Sequence, residues 1–213
     1  MKNQSNIHKN LICLIIGISL LIVLVFIPIP IHASSFNTKL PNVVSPEYDV
    51  QILVPGGHFH GIHGLTFDSQ DNIYVGSLVG QSIYKVDPKT GQVQENVGPP
   101  LGMADDMEFG PDGRLYWTTM MMGRILCKSA DPKIDVLAEE LPGTNSIAFN
   151  QEGRLFITQV FMGDALWEID LSGGKKNRKV AENLGGLNGF DFGPDGKIYG
   201  PLWFKKVVGR VDP

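Results

Sequence analysis

The chain has 213 residues, of which 43% are hydrophobic and 19% charged, with a formal net charge of −4. That composition excludes a disordered or collagen-like chain and leaves room for one ordinary domain or an elongated repeat. The mildly acidic balance gives no electrostatic reason to expect nucleic acid, and the short basic run KKNRK at 175–179 reads as a solvated turn.

The first element is a separate object. Lys2, His8 and Lys9 precede the apolar run LICLIIGISLLIVLVFI (11–27), and small residues follow at Ala33 and Ser34. A basic start, an apolar stretch and a small residue make residues 1–33 a secretory signal peptide, or an N-terminal membrane anchor if uncleaved. Either reading puts the remainder outside the cytoplasm, with a membrane partner expected only through this segment. Residues 34–46 read as a linker. Only Cys13 and Cys127 are present, so the region after residue 33 cannot form an internal disulfide. Cys127, in the strand-like run RILCK, reads as a structural thiol.

From 47 to 213 the chain repeats itself. IHGLTFDSQDNIYVG begins at 62, GMADDMEFGPDGRLYW at 102, GTNSIAFNQEGRLFIT at 143 and GLNGFDFGPDGKIYG at 186. Aligned on Leu65, Met107, Ile147 and Phe190, the units are spaced by 42, 40 and 43 residues. Periods of that size mark solenoids or propellers. Within a unit the apolar residues alternate over short runs (GLTF, NIYVG, SIYKVD, QVQENV), and Gly, Pro, Asp and Asn punctuate the joins. Four short strands per unit, with no helical period after residue 33, predict an all-β propeller of four-stranded blades. The segment EYDVQILVPG (47–56) resembles the fourth strands KIDVLAEELPG and NRKVAENLGG, while the last unit stops at a third strand. The count therefore fits either a closed four-bladed ring, with 47–56 as the missing strand, or about four blades of a six-bladed ring.

The recurrent pattern N-G-[apolar]-x-F-x-P-D-G-x-[apolar]-Y, fullest at NGFDFGPDG (188–196), resembles the senescence marker protein / gluconolactonase / luciferin-regenerating enzyme-like family. The resemblance covers nearly all of 47–213. It implies a six-bladed propeller with a divalent metal, usually calcium, on its axis, and hydrolysis of lactones or related esters.

One polar residue recurs at the start of each unit's first strand: His63, Asp105, Asn145 and Asn188. If that strand lines the central channel, these residues stand at its mouth. Calcium takes six to eight oxygens at about 2.3–2.6 Å, and Asp105, Asn145 and Asn188 each supply one or more. The resemblance implies the same role for Asn145 and Asn188. At the first blade it implies a Glu where this chain has His63. Imidazole suits zinc, iron or copper, so GHFHGIHG (57–64), with His58, His60 and His63, keeps a transition-metal site as the alternative. For His58 and His60 the simpler reading is a polar loop. The resemblance also implies a catalytic carboxylate from a late blade, which this sequence does not show. The candidates here are Asp105 and Asp106, either of which could take a proton from water beside a bound cation.

The loops from second to third strand should open on the same face: SLVGQ (77–81), TTMMMG (118–123), QVFMGD (159–164) and GPLWFKK (200–206). Met121, Phe161 and Trp203 in these loops are the expected contacts for a small-molecule substrate, an apolar lactone or ester. No nucleophile elbow, phosphate loop or zinc-protease motif competes. The expectation is an extracytoplasmic, metal-dependent lactone or ester hydrolase. A propeller that binds a small molecule or protein without catalysis is the alternative, since one fold hosts both.

Overall fold

A computed structural model describes residues 44–172 and 176–213. The signal or anchor reading of 1–33 and most of the 34–46 linker lie outside the described residues. The described chain forms fifteen strands and one short 3₁₀ turn (Trp203–Lys205).

The strands fall into four antiparallel sheets, each laid out in chain order. The first contains β1 (Ile62–Phe67), β2 (Ile73–Ser77), β3 (Ser82–Val86) and β4 (Val93–Val97). The second contains β5 (Met107–Phe109), β6 (Leu115–Thr119), β7 (Arg124–Lys128) and β8 (Ile134–Ala138). The third contains β9 (Thr144–Phe149), β10 (Leu155–Gln159), β11 (Ala165–Ile169) and β12 (Arg178–Glu182). The fourth has three strands, β13 (Asp191–Phe192), β14 (Ile198–Leu202) and β15 (Val207–Val211). These are the blades that the repeat predicts.

Alternation along each strand decides how the blades stack. Successive side chains point to opposite faces of a sheet, so a buried strand feeds two different cores. In β6, Trp117 joins Tyr74, Ile83, Met107 and Leu126 between the first and second blades. Its neighbour Tyr116 joins Ile125, Ile147, Leu155 and Ile157 between the second and third. Phe156, Leu166, Leu187 and Ile198 fill the third interface. One aromatic contact is repeated in all three: Tyr74 on Phe109 (ring centroids 5.0 Å), Tyr116 on Phe149 (5.0 Å) and Phe156 on Phe192 (5.4 Å), each edge to face. Phe67 and Tyr199 hold the corresponding positions on the two outward-turned faces and are 54% and 37% exposed.

The repeated turn has a local cause. Asp112 accepts hydrogen bonds from the Arg114 amide (3.1 Å) and from the Tyr116 hydroxyl (2.7 Å). Asp195 does the same with the Lys197 amide (3.2 Å) and the Tyr199 hydroxyl (2.9 Å). Gly113 and Gly196 complete these turns at φ +76° and +73°, a region costly for any residue with a Cβ. The run P-D-G-x-x-Y is thus a closed hydrogen-bonded unit.

Residues 47–56 do not supply a fourth strand to the last sheet. They form no strand, and Leu53 lies against Gly91 of the first blade. Immediately after them, Phe59 packs on Tyr84 at 5.4 Å. Their apolar side chains Tyr48, Val50, Ile52 and Leu53 remain exposed.

Candidate functional site

The four recurrent polar residues sit where the innermost strands begin, and each blade breaks its ladder there. In the first blade Ile62 pairs with Ser77 but Leu65 pairs with Val75, so His63 and Gly64 together oppose Gly76. In the third blade Asn145 and Ser146 oppose Thr158 in the same way. In the second, Asp105 donates its amide to the Thr118 carbonyl (2.9 Å) while Thr118 donates back to Asp106 (3.0 Å). A bulge of two residues against one bends the strand and re-aims a side chain. The amide that the bulge strands is taken up by a threonine: Asp106 donates to Thr118 Oγ1 (3.2 Å) and Ser146 to Thr158 Oγ1 (3.1 Å). In the fourth blade Asn188 donates its amide to the Pro201 carbonyl (3.2 Å).

Side chains next to these residues lace one blade to the next. His63 Nδ1 lies 2.9 Å from the Asp105 carbonyl oxygen and 3.4 Å from its carboxylate. The Thr118 hydroxyl donates to the Asn145 carbonyl. Ile147 donates its amide to Asp106 Oδ2 (3.1 Å), and Gly189 to Ser146 Oγ (2.7 Å). His63, Asp105, Asn145 and Asn188 therefore follow one another around the inner end of the blades, each on or just before an inner strand tied to its neighbour.

Within this set Asp105 is distinctive. It is 2% exposed, and its Oδ2 makes no hydrogen bond among the described residues. Burial raises its pKa, His63 opposes the rise, and the Asp106 carboxylate reinforces it. Leaving a buried carboxylate oxygen unpartnered is costly, so such an atom calls for a cation, a proton or water. Asp106 is different. Its Oδ1 accepts from the Met107 amide (2.9 Å) and its Oδ2 from Ile147, so both oxygens are engaged by backbone. Burial raises its pKa too, against the pull of those amides. Asn145 is 4% exposed and its Oδ1 accepts from the Ser146 hydroxyl (3.1 Å). Asn188 is half-buried, and its side chain makes no hydrogen bond among the described residues. His58 and His60 are exposed. Among the described residues no group of three or more His, Cys, Asp or Glu is placed to hold a metal, so an ion here would rely on the asparagine oxygens.

The loops expected to form a rim carry their large apolar residues outward. Phe161 and Trp203 meet edge to face at 5.2 Å, with Phe204 at 5.8 Å from Phe161. Met121 is exposed on the loop of the second blade. A cavity of about 600 Å³ is lined by Asn188, Pro201, Leu202, Trp203 and Lys206, and brings a candidate metal residue and a candidate substrate contact together. Sequence reasoning missed Glu108, one turn of the pleat further along β5. It accepts the Phe149 amide (2.8 Å), and burial, with Asp106 and Asp191 nearby, pushes its pKa up to about 7.

Stacked four-stranded antiparallel sheets sharing a set of inner strands define a β-propeller. No protein-family model matches the chain, and no curated protein does. Among solved structures it is similar to virginiamycin B lyase from Staphylococcus aureus, with a TM-score of 0.61 and 22% identity over 70% of this chain and 51% of that one. It is similar to a gluconolactonase from Xanthomonas campestris, with a TM-score of 0.61 and 16% identity over 70% of this chain and 57% of that one. A chain of the nidogen/laminin complex gives a TM-score of 0.64 and 21% identity over 71% of this chain and 60% of that one. The chain thus spans between 51% and 60% of the length of these structures. At these identities the likeness is one of fold, an all-β propeller matching six-bladed propeller structures over part of their length.

Proposed function

We propose that the chain is a gluconolactonase-like propeller, exported from the cytoplasm, that holds a divalent metal at its inner blade ends and hydrolyses lactones or related esters. The observation that carries this reading is the buried, unpartnered Oδ2 of Asp105, flanked around the ring by His63, Asn145 and Asn188. Carboxylate and amide oxygens suit a hard cation, which makes calcium the expected ion. Zinc, through His63, is the alternative. When bound, the ion polarises the substrate carbonyl and stabilises negative charge on its oxygen.

The chain's own residues supply the proton chemistry. Asp105 accepts a proton from a water on its Oδ2 as that water's oxygen bonds to the carbonyl carbon. The ester C–O bond then breaks, and the departing alkoxide takes the proton back from Asp105. A pKa raised by burial makes Asp105 a stronger base than an exposed carboxylate. Asp106 holds the two strands in register rather than moving a proton. Phe161, Trp203 and Met121 would contact the apolar part of the substrate.

The test is melting of the protein stripped with chelator, with and without added calcium. A ligand that binds only the folded state adds about 2.7 kcal/mol at 100 times its Kd. The expected rise disappears in Asn145→Ala and Asn188→Ala. Asp105→Asn keeps one oxygen for the ion and a smaller rise, and loses lactone hydrolysis because no carboxylate is left to take the proton. A melting temperature indifferent to calcium and zinc rejects the metal-dependent reading. The second reading is a non-catalytic propeller. The outward Met and aromatic side chains favour it, and so does the occurrence of the fold in the nidogen/laminin complex.

A further inference from the structure

The loop face repeats one feature in every blade, beyond the three side chains assigned to the substrate. Fourteen residues after Leu65, Met107, Ile147 and Phe190 stand Val79, Met121, Phe161 and Phe204. They are 72%, 62%, 53% and 58% exposed, so all four blades present a large apolar side chain at one register on one face. Met162 and Trp203 stand exposed beside them. Phe161 is held outward in a left-handed backbone (φ +67°), which a bulky residue adopts rarely and at some strain. The turns at the opposite end of the blades carry exposed polar residues and no large apolar one: Gln70 and Asp71, Lys89 and Thr90, Asp112, Glu152, Asp195. The propeller is amphipathic from face to face.

We infer that this loop face rests on a lipid bilayer, with the blade tips inserted into its interfacial region. This goes beyond the hydrolase reading and does not depend on it. Phe161, Trp203 and Phe204 form one aromatic cluster, with Val79 and Met121 on loops of their own, and a fluid acyl boundary can close around both kinds of tip; Phe and Trp are favoured at that depth. Lys205 and Lys206 follow the Trp203–Phe204 pair and have no carboxylate partner among the described residues; Lys205 Nζ donates to the Asn183 carbonyl (3.1 Å), which leaves the exposed Lys206 for lipid phosphates. Among the carboxylates at this end, Glu139 faces Arg124 (3.5 Å) and Glu182 faces Lys179 (2.8 Å). Glu140 and Glu95 are exposed acids here without a cationic partner among the described residues, Glu95 accepting from the Ser82 hydroxyl (3.2 Å). Retained as an anchor, the apolar run 11–27 would hold the chain beside a bilayer.

Because that run would bind vesicles by itself, the test reads the face directly, on the full chain. Trp203 is exposed, whereas Trp117 is buried and donates to the Leu101 carbonyl, and Trp167 is half-buried and donates to Gln159. Tryptophan emission would be recorded with vesicles of phosphatidylcholine and phosphatidylglycerol, with and without bromine on the acyl chains. The expected result is a blue shift and loss of the Trp203 emission on brominated vesicles. Both vanish in Trp203→Phe and weaken in Met121→Ser/Phe161→Ser, whose melting is unchanged, while Phe161→Leu retains them. No quenching overturns the inference, as does equal quenching in the serine variant. Shielding of Trp203 by a soluble protein or lactone but not by vesicles also overturns it.

Discussion

Glu108 shows how one side chain ties strand contact to solution conditions. Its carboxylate joins β5 to β9 through the Phe149 amide, yet burial and the carboxylates of Asp106 and Asp191 hold its pKa near 7. An unfolded chain would release that proton near 4.5. The folded protein therefore keeps an extra proton between those values, and the resulting stability is full below about 4.5 and lost as pH rises through about 7. Asp105 and Asp106 are shifted in the same direction by burial. Glu168 is the opposite case: hydrogen bonds from Arg154 and Arg178 outweigh its partial burial and hold its pKa down to about 2. Its contribution is present above 4.5 and lost as pH falls towards 2. The melting temperature in the absence of metal should thus be highest near pH 5 and decline towards pH 7.5. Glu108→Gln should flatten that decline by about 1–2 kcal/mol after allowance for partial exposure. A decline of equal slope in the Gln variant would remove Glu108 from the account.

The element that makes the site is the bulge opening the inner strand, and in the second and third blades its cost is offset by one hydroxyl. Thr118 takes the stranded Asp106 amide and donates to the Asn145 carbonyl in the next blade. Thr118→Val keeps the shape and removes both bonds, leaving buried polar groups unmatched. It should cost about 1–3 kcal/mol in urea unfolding, with Thr118→Ser recovering most of the loss. If Val and Ser unfold alike, the hydroxyl does not hold the bulge. The sequence announced the strands, the turns and the polar residue of each blade, because alternation and turn chemistry are local. It did not announce the bulge, since two residues opposing one is a property of pairing between strands. For the same reason Asp105 and Asp106, adjacent and chemically identical in the sequence, could not be told apart. Only the backbone amides of Met107 and Ile147 separate the engaged carboxylate from the one with a free oxygen. The aromatic ladder had a legible half: the Tyr of P-D-G-x-x-Y is in the motif, but its partner lies in the following blade.

At the scale of the molecule, stability is built from interfaces between neighbouring blades, as in repeat proteins generally. The second and third blades have a neighbour on both faces, and their second strands, β6 and β10, are buried at every position. The first and fourth have one packed face each among the described residues, with Leu65, Phe67, Tyr199 and Val208 exposed on the other. Local opening follows buried contact, so amide exchange should be graded along the chain rather than uniform. The slowest amides are expected in β6, β7 and β10, and the fastest in 44–61, β1 and β15. Calcium, if it binds where Asp105, Asn145 and Asn188 line up, links three blades at their inner ends. Its addition should slow exchange first in β5, in β9 and at Asn188, ahead of the outer strands β8 and β12. Protection rising equally in all blades would mean that the ion acts through general stabilisation, and protection confined to 58–63 would move the metal to the histidines.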